Sequence, residues 1–66
     1  MKTCIIIYKN KPQYKGCDEY IGDVTASTTK REDAMLFSLG LARKIIKLNP
    51  ILDNAHEAAE IIQLKP

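Results

Sequence analysis

The chain has 66 residues, of which 45% are hydrophobic and 27% are charged, the balance of an ordinary folded domain rather than a disordered segment. We expect one small α+β domain over residues 1–66, because a chain of this length forms one modest core. The formal net charge of +2 is too mild to indicate a nucleic-acid partner by itself, and it provides no acidic surface that would imitate DNA.

The sequence shows no targeting or membrane-spanning segment. Lys2 is followed only by a short apolar run, too brief for the apolar region of a signal peptide. No stretch is long enough to cross a bilayer. Cys4 and Cys17 are the two cysteines, and in the hairpin described next they lie too far apart to be bridged. We therefore expect two reduced thiols in a soluble, cytoplasmic protein.

Residues 3–9, TCIIIYK, are predicted to form the first strand. They are rich in β-branched and aromatic side chains and precede a turn-prone Asn-Lys-Pro sequence. Because side chains alternate along a strand, both of its faces are apolar: Cys4, Ile6 and Tyr8 lie on one face, and Ile5 and Ile7 on the other. A strand of this kind is expected in the middle of a sheet.

Residues 19–25, EYIGDVT, are predicted to form the second strand, paired with the first as a hairpin. The intervening residues 10–18 contain Asn, Pro, Gly and Asp and are predicted to form a loop. Gly22 indicates a bulge or a close backbone approach within the second strand, and the polar mixture suggests a sheet edge.

Residues 28–50 contain the amphipathic helix, and the sequence allows two interpretations. One is a continuous helix that begins with a capping box of Thr29 and Glu32 and ends at Asn49-Pro50. The other is a turn over residues 30–33, an extended piece over 34–37 and a helix capped by Ser38, because glycine at position 40 is unfavourable within a helix. Both interpretations bury the same helix face: Leu41, Ile45 and Leu48.

The last segment is ambiguous between strand and helix. Residues 59–64 contain the β-branched pair Ile61-Ile62 and are predicted to form a closing strand. A helix over residues 53–64 also fits the spacing of the apolar side chains. Before this strand, Asp53 or Asn54 is positioned to cap a single turn.

The predicted fold is α+β, with a three-stranded antiparallel sheet (β-β-α-β) packed against one main helix. The first strand is central, with the second strand on one side and the last on the other. A single helix covers only one face of a sheet. We therefore expect the other apolar face of the first strand to be covered by residues 51–57, by a second copy of the chain or by another protein.

No catalytic, cofactor-binding or metal-binding residues are predicted, and the chain is not expected to be an enzyme. His56 is the single histidine; it has Glu57 beside it, but no nucleophile at a suitable spacing. One histidine and two distant cysteines do not form a metal site. We therefore expect His56 to be a surface residue.

Two sets of residues are predicted as contact sites. For a protein partner they are the tyrosines, which combine contact area with a polar tip, and neighbouring lysines: Tyr8, Tyr14 and Tyr20, with Lys9, Lys11 and Lys15 at the rim. For a nucleic acid they are basic residues that share part of one helix face: Arg43, Lys44 and Lys47. Basic residues near the end of a helix are also expected from its dipole alone.

Half of the chain resembles a known group of proteins. The Asp33-Ala34, Phe37-Ser38 and Ala42 pattern, followed by Glu60-Ile61-Ile62, is similar to one in very small bacteriophage and prophage accessory proteins of α+β type. In that group the helix begins near the position of Ser38. The chain departs from the group at Leu39 and Gly40, where acidic residues are commoner.

The resemblance implies a non-enzymatic role in which the protein binds a host or defence protein and modulates it, as anti-CRISPR proteins do. The leading prediction is thus a small non-catalytic protein-binding module, a phage-derived accessory or inhibitor protein. It occludes a protein surface or forms a homodimer through its sheet. The alternative is a weak nucleic-acid-binding protein that uses the basic helix face and the lysine-rich loop.

Overall fold

The computed structural model describes residues 2–23 and 26–64. Within these ranges, four strands form one antiparallel sheet: β1 (Cys4–Asn10), β2 (Glu19–Ile21), β3 (Ser27–Thr28) and β4 (His56–Gln63). The order across the sheet is β3-β2-β1-β4. A 3-10 turn (Arg31–Asp33) and one helix, α1 (Leu39–Leu48), lie between β3 and β4 in the chain.

The α+β class and the central position of the first strand are confirmed, but the predicted count of three strands is wrong. The extra strand is β3, which pairs Thr28 with Tyr20 of β2. The second strand stops at Ile21 because the chain turns there, with the backbone N–H of Gly22 donating to the carbonyl of Ala26 at 3.0 Å. Residues 24 and 25, the predicted end of that strand, lie outside the described residues.

The predicted close approach at Gly22 is confirmed. A Cβ atom at this position would lie 3.1 Å from Cγ2 of Thr28, which is tighter than an ordinary contact. Glycine therefore allows the very short strands β2 and β3 to come together at the edge of the sheet.

The divided interpretation of residues 30–48 is confirmed. Phe37 and Cys4 exchange backbone hydrogen bonds of 2.7 and 2.9 Å, so the extended piece joins the sheet beside β1. The hydroxyl of Ser38 then accepts a hydrogen bond of 3.3 Å from the backbone N–H of Leu41 and caps α1. The predicted capping box at Thr29 is wrong, because Lys30 precedes the 3-10 turn without a side-chain cap.

The closing strand is also confirmed, and the competing helix over residues 53–64 is wrong. β4 begins at His56, three residues before the predicted start, and pairs with the whole length of β1. Asp53 caps the preceding turn, since its carboxylate accepts a hydrogen bond of 2.7 Å from the backbone N–H of Ala55.

The main core lies between α1 and one face of the sheet. Its buried members come from β1, from the extended piece and from the helix: Cys4, Ile6, Tyr8, Phe37 and Ala42. Ala42 is fully buried, and its small side chain allows the helix to lie close to the strands. Leu39 and Ile46, on the same side of the helix, are partly buried against this cluster.

The predicted burial of Leu41 and Leu48 is wrong. Leu41 is 48% exposed and Leu48 is 79% exposed. At about 100° per residue, Ala42 lies roughly 100° around the helix from Leu41. When Ala42 faces the sheet, the stripe that contains Leu41 and Leu48 is therefore turned to one side. Only Ile45 of the predicted face remains packed against the core.

The second face of β1 is enclosed within a single chain, contrary to the prediction that residues 51–57 or another molecule would cover it. Ile5 is 1% exposed and Ile7 is 5% exposed. Ile5 lies opposite Ile62 of β4, and Ile7 lies between Tyr20 and Glu60. Ile5 also borders a cavity whose lining includes Ala34 and Leu36 of the extended piece. Residues of the same chain therefore lie beside both isoleucines.

The position of the helix cap gives a direct stability test. We expect Ser38→Ala to lower the free energy of unfolding by about 1 kcal/mol, because the N–H of Leu41 loses its partner. Thr29→Ala serves as the matched control and should change it by less than about 0.5 kcal/mol. Urea denaturation followed by circular dichroism measures both values. A larger loss for Thr29→Ala than for Ser38→Ala would contradict the observed helix start.

Candidate functional site

A groove opens beside the main core, between the end of α1 and the β2 side of the sheet. Its volume is about 510 Å³. Most of its lining is apolar and comes from β1, β2, the extended piece and α1, including Tyr8, Ile21, Met35, Phe37 and Ile45. Ile51 and Leu52, just after the helix, also line the groove and are 49% and 41% exposed. These two large apolar side chains therefore line the groove while remaining partly open to solvent.

The groove continues onto the flank of the helix. Leu41, Ile45 and Leu48 are spaced by four and three residues and so form one stripe, in which Ile45 also lines the groove. We call the stripe together with the two residues after the helix the α1 apolar surface: Leu41, Ile45, Leu48, Ile51 and Leu52. A contiguous exposed apolar area of this kind is typical of a contact site for another molecule.

Basic residues border the α1 apolar surface. The helix sequence LGLARKIIKL contains no acidic residue. Lys44 lies one turn from both Leu41 and Leu48, and Lys47 is next to it around the helix. Arg43 lies further round, towards Leu39. All three basic residues are exposed, and within the described ranges none of them forms an ion pair.

The structure separates the three predicted contact tyrosines. Tyr8 is 2% exposed, and its hydroxyl donates a hydrogen bond of 3.0 Å to the carbonyl of Asn49. Burial raises the pKa of this hydroxyl, which therefore remains a protonated donor. Tyr20 lies on the opposite face of the sheet, beside Ile7. Tyr14 is exposed in the loop. No single surface contains all three.

The predicted lysine rim is part of an organised loop. The carboxylate of Asp18 accepts a hydrogen bond of 2.8 Å from the backbone N–H of Asn10 and one of 3.2 Å from Nζ of Lys9. Nζ of Lys11 lies 5.9 Å from the centre of the Tyr14 ring. Lys15 is exposed near the tip. Lys11, which is half-buried, and the exposed Tyr14 therefore form a local pair within the loop.

The electrostatics of this loop follow from the same contacts. The hydrogen bond from Asn10 and then the one from Lys9 lower the pKa of the Asp18 carboxyl. Reciprocally, Asp18 raises the pKa of Lys9. The loop therefore contains an ion pair that closes the hairpin, and Lys9 is engaged rather than free for a partner.

His56 is buried, so the prediction of a surface histidine is wrong. It is 3% exposed and lies edge-on to the ring of Tyr8, with the ring centres 6.3 Å apart. Nδ1 lies 2.9 Å from Oδ1 of Asp53, and Nε2 lies 3.4 Å from Oε2 of Glu19. Sequence reasoning missed this group because Glu19 belongs to β2, on the far side of β1 in the sheet.

Comparisons with known proteins identify no relative of the chain. No family model, no curated protein and no solved structure matches the chain. The resemblance to phage accessory proteins therefore stays a prediction. Among the described residues, no helix has the length and apolar character needed to span a membrane.

The buried tyrosine hydroxyl gives a second stability prediction. We expect Tyr8→Phe to lower the free energy of unfolding by about 1 kcal/mol, because the carbonyl of Asn49 loses its donor at the end of α1. Tyr14→Phe is the matched control and should lie within about 0.5 kcal/mol of the unaltered protein, since its ring is exposed. Equal effects of the two substitutions would contradict the placement of Tyr8.

The loop carboxylate predicts a dependence on pH. Asp18→Ala should cost about 0.5–1 kcal/mol at neutral pH, a modest value because the group is partly exposed and screened. The folded pKa of Asp18 is lowered, so its contribution is complete above the unfolded value of about 3.9. This contribution to stability is lost as the pH falls through the pKa that Asp18 has in the folded protein.

Urea denaturation at a series of pH values measures this difference. The curves for the unaltered protein and Asp18→Ala should converge in acid, whereas Tyr14→Phe, which removes no carboxylate, should keep the same small difference from the unaltered protein at every pH. A difference between the two proteins that stays constant with pH would contradict the assignment.

Proposed function

We propose that the protein is a small non-catalytic binding module that recognises another protein through the α1 apolar surface. The observation that carries this proposal is the exposure of Leu48, 79%, on a helix whose core contact is made by Ala42. A leucine this exposed adds little to folding. It is placed to contribute contact area to a complex, next to a groove that accepts further apolar side chains.

The charge pattern indicates the chemistry of the partner. Lys44 and Lys47 border the apolar stripe, and α1 contains no acid to neutralise them. A partner segment with apolar side chains for the groove and acidic residues along its rim complements both features. We therefore propose an amphipathic, acidic segment of another protein as the occupant.

A second copy of the chain fits this surface less well. In a twofold contact the same patch of both copies meets. Lys44 and Lys47 of one copy would then meet a helix that contains no acidic residue to pair with them, so the contact would gather like charges. Pairing through the free edge of β4 meets a related obstacle, since the exposed Glu57 and Glu60 lie on this edge strand.

The proposed mode of action is occlusion. A chain of this size acts on a partner by covering part of its surface, as the resemblance to accessory and inhibitor proteins implies. The face predicted from Tyr14, Lys11 and Lys15 belongs to the loop and contains no residue of the α1 apolar surface, and it remains a second area of contact in this proposal.

The test combines site-specific crosslinking with matched substitutions. A photo-crosslinking residue at position 51, where Ile51 is 49% exposed, should capture a protein from host lysate. Adding Leu48→Ser or Leu52→Ser to this variant should reduce recovery of that same protein at least 10-fold. Leu36→Ser is the matched control, because Leu36 is 44% exposed but lies outside the α1 apolar surface. Raising the salt concentration should weaken the complex through Lys44 and Lys47.

The stability of each variant separates lost binding from lost folding. Leu48→Ser should change the free energy of unfolding by less than about 0.5 kcal/mol, since the side chain is mostly in water. Capture that is equal for Leu48→Ser and the unaltered protein, or equally reduced by Leu36→Ser, would overturn the proposed surface.

The second candidate is nucleic-acid binding, favoured by the exposure of Arg43, Lys44 and Lys47 without ion-pair partners in the ranges described above. This function predicts binding of labelled DNA or RNA that weakens steeply with salt. It also predicts a loss of affinity in Lys44→Gln and Lys47→Gln, but none in Leu48→Ser. The Leu48 result therefore distinguishes the two functions.

A further inference from the structure

The group around His56 contains no residue of the α1 apolar surface. Within residues 2–23 and 26–64, one ligand atom from each of Glu19, Asp53 and His56 lies within 4.8 Å of the others. The three residues come from β2, from the turn before β4 and from β4 itself. The fold therefore brings together one imidazole and two carboxylates that are distant in sequence.

Asp53 holds the imidazole ring of His56 in one orientation and determines which ring nitrogen carries a proton. Its Oδ1 lies 2.9 Å from Nδ1 of His56, and the same carboxylate is held by the backbone N–H of Ala55. A carboxylate only accepts, so Nδ1 is the protonated nitrogen in this contact. In a neutral ring, the lone pair of the imidazole is then on Nε2.

Nε2 lies close to a second carboxylate without forming a hydrogen bond. It is 3.4 Å from Oε2 of Glu19. In the part of the chain that the structure describes, it is the buried side-chain polar atom that lacks a hydrogen-bond partner. If Nε2 carries no proton, its lone pair and the carboxylate oxygen repel each other unless a cation lies between them. A buried polar atom left without a partner in this way is costly.

We propose that Nε2 of His56 and the carboxylate of Glu19 bind a divalent transition metal ion of the zinc class. Zinc lies about 2.0–2.2 Å from imidazole nitrogen and carboxylate oxygen, so two such ligands at a tetrahedral angle are about 3.3–3.5 Å apart. The observed distance of 3.4 Å between Nε2 of His56 and Oε2 of Glu19 lies within this range. Asp53 acts as the outer carboxylate that orients a metal-bound histidine.

The metal joins the two sides of the sheet. Glu19 lies opposite Tyr8 in the β1–β2 pair, and His56 lies opposite Asn10 in the β1–β4 pair. A cation held by both therefore links β2 to β4 across the end of β1. Because the unfolded chain does not bring these residues together, binding stabilises the fold.

The test records the NMR signals of the two histidine ring nitrogens while Zn²⁺ alone is added. The chain contains one histidine, so these signals belong to His56. We expect the Nε2 signal to move on Zn²⁺ addition, with one equivalent bound and the melting temperature raised, while Nδ1 keeps its proton. Mg²⁺, which prefers oxygen ligands, should produce no shift.

Matched variants identify the ligands. Glu19→Gln should weaken Zn²⁺ affinity at least 10-fold, and Asp53→Asn should weaken it about 10–100-fold. Glu60→Gln should have no effect, because Glu60 lies beside Ile7 on the other face of the sheet. Cys17→Ser should also leave the affinity unchanged and so excludes the exposed thiol as the ligand.

The opposing outcome is a protonated histidine held between two carboxylates. In that case both ring nitrogens carry protons, and their signals do not move when Zn²⁺ is in excess. That result would overturn the proposal, as would a Zn²⁺ affinity that Glu19→Gln leaves unchanged.

Discussion

The enclosure of β1 is the constraint on which the rest of the structure depends. Five consecutive residues, from Cys4 to Tyr8, are buried, and fully burying a large apolar side chain stabilises a fold by about 1.5–3 kcal/mol. The strand reaches this burial through β2 and Phe37 on one edge, β4 on the other and α1 above one face. On its second face, Ile5 and Ile7 are buried within the single chain. An all-apolar strand thus needs no second molecule, and the exposed apolar area is on the helix instead.

The sequence was most informative where a local signal and the sheet pattern agree. The alternation in β1 predicted a central strand with two apolar faces, and the cap at Ser38 marked one of the two possible helix starts. Even there the choice between Thr29 and Ser38 was open, because capping residues occur at both positions. The decision came from a tertiary contact, the backbone pairing of Phe37 with Cys4, which holds the preceding piece extended.

The side of α1 that faces the sheet could not be read from the sequence. The helix carries two overlapping apolar stripes, and the one with larger side chains, Leu41, Ile45 and Leu48, is the stronger hydrophobic signal. The sheet instead receives the stripe centred on Ala42, because a small residue allows close packing. His56 illustrates the same limit. Its sequence neighbour Glu57 is not its partner, whereas Glu19 reaches it only after β1 has paired on both sides.

The orientation of α1 determines whether its leucines pack in the core or lie at the surface. If Leu41 and Leu48 faced the sheet, they would add to a small core, but the helix would lie further from β1 because their side chains are larger than that of Ala42. With Ala42 inward, the core is closed by β1 itself and the leucines are available at the surface. Lys44 and Lys47 lie beside them, on a helix without acidic residues. The same arrangement therefore leaves an apolar area with a basic border exposed, and this is the combination from which the proposed acidic partner is inferred.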